Sequence, residues 1–237
     1  GDPRKKIITM TTQEIVYALI SYLLFLGLLW IARAHHSIRL IDASGTVENR
    51  PLLLGLQLAG IVLFGCWPAL NSWDHYWLVI AGDHPVGWKP AVATGILCVC
   101  TVAFASYSAR KAQSSVSANV LSRNDPFPGF FPEVYFPVRV LFIISYEGWL
   151  RGVILFGGIS LLGLPAAIAL NIVLYAILHL ANGKRETLAC FPFGLLLCLL
   201  SVWAGAAWPA MAVHAALAVS FESRALIEFY KTQIARS

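Results

Sequence analysis

The chain is predicted to fold as an all-α, polytopic transmembrane bundle of about seven to eight membrane helices, a single integral membrane domain over residues 1–237. Three observations carry that prediction. Only 12% of the residues are charged and 58% are hydrophobic, whereas a soluble domain carries about 25% charged residues. The apolar runs are long and continuous, each close to the ~20 residues that cross a bilayer, without the period-two alternation of a membrane barrel. Lys and Arg flank these runs, as topology signals do. The net charge of +5 is therefore read as membrane orientation. The expected partner is a lipid bilayer, and no nucleic acid.

The spans follow in order from the apolar runs and the charges between them. The first reads 14–33 and closes on Arg33; Arg39 and Arg50 follow in the loop. The second reads 51–70. The third, 91–108, follows Lys89 and precedes Arg110, Lys111 and Arg123. The fourth reads 136–157 and the fifth 163–182, followed by Lys184 and Arg185. The sixth reads 187–206, and the seventh runs from Trp208 to about residue 226, with Arg224, Lys231 and Arg236 in the tail. Residues 73–81 are too short to cross and are read as an interfacial or re-entrant eighth element. The heavier basic side places the C-terminus in the cytoplasm by the positive-inside rule, against the N-terminal cluster Arg4, Lys5 and Lys6. Met10 is a candidate natural start. The expected location is a prokaryotic cell membrane.

Residues 124–137, Asn124-Asp125-Pro126-Phe127-Pro128-Gly129-Phe130-Phe131-Pro132-Glu133-Val134-Tyr135-Phe136-Pro137, stand apart. Proline at this density is expected to prevent a continuous helix, and the aromatics suit the headgroup zone. The segment reads as an interfacial anchor, or as a gate or docking loop ahead of span four. The five cysteines (Cys66, Cys98, Cys100, Cys190, Cys198) lack zinc-like or disulfide-framework spacing and are read as small buried hydrophobes.

Three ionisable residues lie inside spans, namely Glu147, His179 and His214. Such residues are costly in hydrocarbon and are usually functional. Glu147 and Arg151 are four apart and share a helix face, so they can pair. The pair serves either an ionised carboxylate with chemical work or a buried clasp between helices. Gly148 and Gly152 allow a neighbouring helix to approach. Asn171, Tyr175 and His179 form one polar stripe at spacing four, in which His179 alone would serve as a helix-end cap. His214 alone would serve as a packing histidine. A carboxylate and two imidazoles on three helices are also the material of a hydrolytic site. No Gly-x-Ser-x-Gly elbow supports serine chemistry, and no internal repeat supports a transporter. No cofactor is expected. A zinc site at Glu147, His179 and His214 is the alternative, without a His-Glu-x-x-His motif to support it.

With these residues in place, the chain resembles the CAAX prenyl protease and bacteriocin-processing (CPBP, or Abi) intramembrane endopeptidases. Their pattern is Glu-Glu-x-x-x-Arg, then Phe-x-x-x-His, then His-x-x-x-Asn (or Asp), each on its own helix. Here it reads Tyr146-Glu147-Gly148-Trp149-Leu150-Arg151, Tyr175-Ala176-Ile177-Leu178-His179 and His214-Ala215-Ala216-Leu217-Ala218. The ordered set makes residues 136–226 the motif-bearing core. The resemblance implies an intramembrane endopeptidase of glutamate type acting on a membrane-tethered or hydrophobic-tailed protein or peptide. Glu147 would activate a water held by His179, His214 and Tyr146 would stabilise the oxyanion, and Arg151 would pair with Glu147. Tyr146 stands where the family has its first Glu, and Ala218 where it has Asn. The alternative is therefore an inactive member serving as a membrane scaffold, chaperone or immunity factor.

Overall fold

The computed structural model describes residues 11–36, 38–40, 50–71, 73–82, 84–114 and 131–234. The cluster Arg4, Lys5 and Lys6, together with Met10, Arg123, residues 124–130 and Arg236, lies outside the described residues. Helix α1 (Thr12–His35) opens on a capping box. The Thr11 hydroxyl accepts from the Glu14 amide at 3.2 Å, and the Glu14 carboxylate accepts from the Thr11 amide at 2.7 Å, so two orphan donors are satisfied reciprocally. Then follow α2 (Arg50–Asn71), α3 (Trp73–Ala81), α4 (Trp88–Ser114) and α5 (Phe131–Leu162). The chain ends in α6 (Leu164–His179), α7 (Lys184–Ala204) and α8 (Trp208–Ile234). Among the described residues, seven helices are long and apolar enough to cross a membrane, with α3 the exception. The chain is a multi-pass, all-α membrane protein.

The two prolines that open α5 correct the expectation for 124–137. Pro132 and Pro137 lie inside a continuous helix that starts at Phe131. Pro132 sits in the first turn, where an amide has no intrahelical partner to lose. Pro137 removes one bond, which neighbouring helices tolerate in membrane bundles. The cysteine expectation is also corrected. Cys190 and Cys198 are buried, Cys98 is half-buried, and Cys66 and Cys100 are exposed. In a membrane the outward face is as apolar as the interior, so a cysteine in an apolar run can face either way.

Helix α5 is the centre of the bundle, packing against α2, α3, α6 and α8. Its side chains from Ser145 through Gly152 are buried. Trp149 stacks on Tyr22 of α1 at 5.7 Å and meets Phe64 of α2 at 4.9 Å. One end of the α5–α8 seam is clasped by charge. Glu222 Oε1 lies 2.9 Å from Arg139 Nη2, and Glu222 Oε2 accepts from Tyr135 Oη at 3.1 Å. That clasp sets the register in which His214, two turns earlier on α8, faces Glu147.

Helix α3 packs into the bundle. Its Tyr76 hydroxyl donates to Phe64 O at 3.3 Å, and Val79 O accepts from the Ala207 amide at 2.9 Å. Gly148 and Gly152 make room for it: a Cβ on Gly152 would lie 2.8 Å from Val79 Cγ2, and one on Gly148 3.1 Å from Tyr76 Oη. Gly152→Ala should therefore cost about 1–3 kcal/mol, the range for overpacking a filled core. Gly95→Ala, where a Cβ would meet nothing within 4 Å, should be neutral or stabilising by up to ~1 kcal/mol. Unfolding curves of both variants in detergent check the pair, and equal midpoints would contradict the packing argument.

Candidate active site

The site grows from an irregularity in α5. From Gly148 to Ile154 the helix is π-helical. The Leu155 amide donates to Leu150 O, five residues back, and also to Gly152 O. Such wide turns inside α-helices are frequent at functional sites. This one begins directly after Glu147 and contains Arg151.

Glu147 and Arg151 are both 0% exposed. Arg151 Nε lies 3.2 Å from Glu147 Oε2, and Arg151 Nη1 donates to Oε1 at 3.5 Å. The shorter of these contacts is off the hydrogen-bond axis, since neither Nε nor Oε2 counts a hydrogen-bond partner. The attraction there is coulombic. The guanidinium also sits over the Tyr175 ring, 4.5 Å from its centroid, an arrangement that stabilises a desolvated cation. Gly194 on α7 leaves the space: a Cβ there would be 3.1 Å from the Tyr175 ring and 3.6 Å from Arg151 Nη2. The pair is thus a local ion pair on α5 whose guanidinium also reaches Tyr175 of α6.

His214 is 8% exposed, and its Nδ1 lies 2.5 Å from Glu147 Oε1. This joins residues 67 positions apart in sequence. It is a short, charge-assisted contact if the carboxylate is ionised. The Phe193 ring stands edge-on to His214 at 5.8 Å.

His179 closes α6. Its Nδ1 lies 3.0 Å from the Tyr175 carbonyl. A carbonyl can only accept, so Nδ1 carries a proton, which leaves Nε2 as the acceptor nitrogen in the neutral form of the ring. Thr187 Oγ1 donates to His179 O at 3.1 Å and ties the residue to α7. Tyr146 lies between the two imidazoles, with ring centroids 6.4 Å from His179 and 6.2 Å from His214. Its hydroxyl is buried and has no hydrogen-bond partner. Tyr175 completes the ring cluster at 4.5 Å from His179 and 6.2 Å from His214.

The fold therefore gathers Tyr146, Glu147, His179 and His214 around two tyrosine rings, with Arg151 behind Glu147. Among the described residues, no three His, Cys, Asp or Glu side chains are grouped so that they could hold a metal ion.

Two contributors were not legible as such. Asn171 donates from Nδ2 to Leu150 O at 2.6 Å, and its Oδ1 accepts from Cys198 Sγ at 3.3 Å. Asn171 was visible in the polar stripe, but not its target on α5. Cys198 belongs to a face of α7 with Gly194 and Ser201, all three buried. That run of small residues at helical spacing was the available signal.

Residues 130–220 match a family model described as Rce1-like, type II CAAX prenyl endopeptidase. The matched segment holds Tyr146, Glu147, Arg151, His179 and His214, so the resemblance read from the three motifs is borne out over α5 to α8. No curated protein and no solved structure matches the chain.

Proposed function

We propose that the protein is an intramembrane endopeptidase that hydrolyses a peptide bond in a membrane-tethered or hydrophobic-tailed protein or peptide. The observation that carries this reading is the placement of two imidazoles around the Tyr146 and Tyr175 rings, one of them 2.5 Å from a buried carboxylate, inside the Rce1-like segment. His179 Nε2 takes a proton from water, and the resulting hydroxide attacks the scissile carbonyl. The tetrahedral oxyanion is stabilised by His214, donating from Nε2 as an imidazolium paired with Glu147, and by the unpartnered Tyr146 hydroxyl. His179 then returns its proton to the leaving nitrogen as the C–N bond breaks.

Glu147 takes a different part from the one its sequence motif suggests. Its Oε1 faces His214 and its Oε2 faces Arg151, so its charge orients His214 while His179 serves as base. Tyr146 supplies the oxyanion donor that Ala218 cannot. The reading needs no cofactor. The substrate class follows the family description: a protein carrying a prenylated C-terminal tail is the first to try. The proposed setting is a prokaryotic cell membrane with the C-terminus in the cytoplasm, so that His179 and the nearby Lys184 and Arg185 lie toward the cytoplasmic side.

The test is cleavage in proteoliposomes of membrane-anchored proteins with hydrophobic C-terminal tails, prenylated and unprenylated, read by mass spectrometry of the new termini. Cleavage is expected, and His179→Gln should lower it by about 10²–10⁴, the usual share of a general base, without loss of folded protein. Full turnover in His179→Gln would overturn the assignment of the base. Absence of cleavage of either tail by the wild type would overturn the protease reading in favour of an inactive membrane scaffold.

A further inference from the structure

We propose that Asn171 is a positioning residue for this site: it holds the π-helical turn of α5 that sets Glu147 against His214, and Cys198 on α7 holds Asn171 in turn. The catalytic part of the proposal rests on the protease reading; the geometric part does not.

In a regular α-helix Leu150 O would accept from the amide of residue 154, four positions on. Here it accepts from Leu155 instead. The wide turn inserts one residue, and one residue is about 100° of helix azimuth. Past the turn, α5 is anchored by Leu155 and by Gly158, where a Cβ would lie 3.2 Å from Ala167 of α6. With that half fixed, reverting the turn to α-geometry would swing Glu147 by about 100° away from His214.

A wide turn inside an apolar helix leaves a carbonyl open to a second donor, and Asn171 supplies it. The residue is 0% exposed and donates to Leu150 O at 2.6 Å. Leu150 O can only accept, so the amide orientation is fixed with Nδ2 toward α5 and Oδ1 away from it. Oδ1 is met by Cys198 Sγ at 3.3 Å. The relay Cys198–Asn171–Leu150 thus crosses three helices through side chains that are all buried, and it ends three residues from Glu147. None of the three touches the reacting atoms. Asn171 acts on catalysis through the azimuth of Glu147, while Cys198 also neighbours Arg151.

The experiment follows the His214 Nδ1 proton by NMR of histidine-labelled protein in nanodiscs, beside steady-state cleavage. A proton shared across 2.5 Å resonates far downfield, and its loss in His214→Gln assigns it. In Asn171→Leu that resonance should vanish or move upfield, and kcat should fall about 10²-fold, as for a small displacement of a catalytic group, with KM nearly unchanged. Cys198→Ser, which still donates to Asn171, should keep both. If Asn171→Leu does not fold, Cys198→Val carries the test and should shift the same resonance. An unshifted resonance in the folded member of that pair overturns the proposal. If the wild type cleaves nothing, the protease reading fails while the resonance still decides the role of Asn171.

Discussion

Arg151→Leu is expected to be the most destabilising single substitution in the site, by about 3–5 kcal/mol, the usual result of removing one partner of a buried ion pair. Arg151 is fully buried, faces Glu147 at 3.2 Å and covers the Tyr175 ring at 4.5 Å. Its loss leaves the Glu147 charge in the interior with only His214 beside it, and leaves a void under Gly194. Arg151→Lys keeps the charge but not the planar stack or the fork of donors, so it should recover only part of the loss. Denaturant unfolding in detergent, followed by tryptophan fluorescence, checks both. A midpoint for Arg151→Leu equal to the wild type would mean that the pair is not formed in the folded protein.

Glu147→Gln should reduce cleavage by about 10²–10⁴. Glutamine keeps the shape, and its amide oxygen can still accept from His214 Nδ1. What is lost is the negative charge that orients and stabilises that imidazole. The single variant also strands Arg151, so stability and catalysis fall together. The double variant Glu147→Gln/Arg151→Met separates them. Replacing both members of a buried pair by groups of similar volume is often neutral or stabilising, so stability should return while turnover stays lost. Recovery of turnover in the double variant would remove the carboxylate from the mechanism.

Part of this site was legible before any coordinates. The Glu147–Arg151 pair follows from a spacing of four on one helix, and it forms with Arg151 inside the π turn. Glu147, His179 and His214, each on its own span, were readable as the material of a hydrolytic site. The helices were also legible, because apolar length is read residue by residue: all seven expected spans coincide with α1, α2 and α4 to α8. Even the short element at 73–81 was bounded correctly.

Which face each helix turns inward was not legible. A soluble helix announces its buried face by contrast with a polar one. Here lipid and interior are both apolar, so Cys100 and Cys198 read alike, although one faces outward and the other sits in the core. The same lack of contrast hid the path of α3 against Gly148 and Gly152. The Glu147–His214 contact and the Asn171–Leu150 bond join residues 67 and 21 positions apart. Neither partner is set by local spacing, and the π turn that lies between Glu147 and Leu155 on α5 has no signature in the sequence. The sequence alone therefore determined the spans, their order and the residues with chemical capacity, since these depend on composition and local spacing. Only the tertiary structure decided that the carboxylate lies against His214 at 2.5 Å, because that contact rests on helix azimuths set by packing across the bundle.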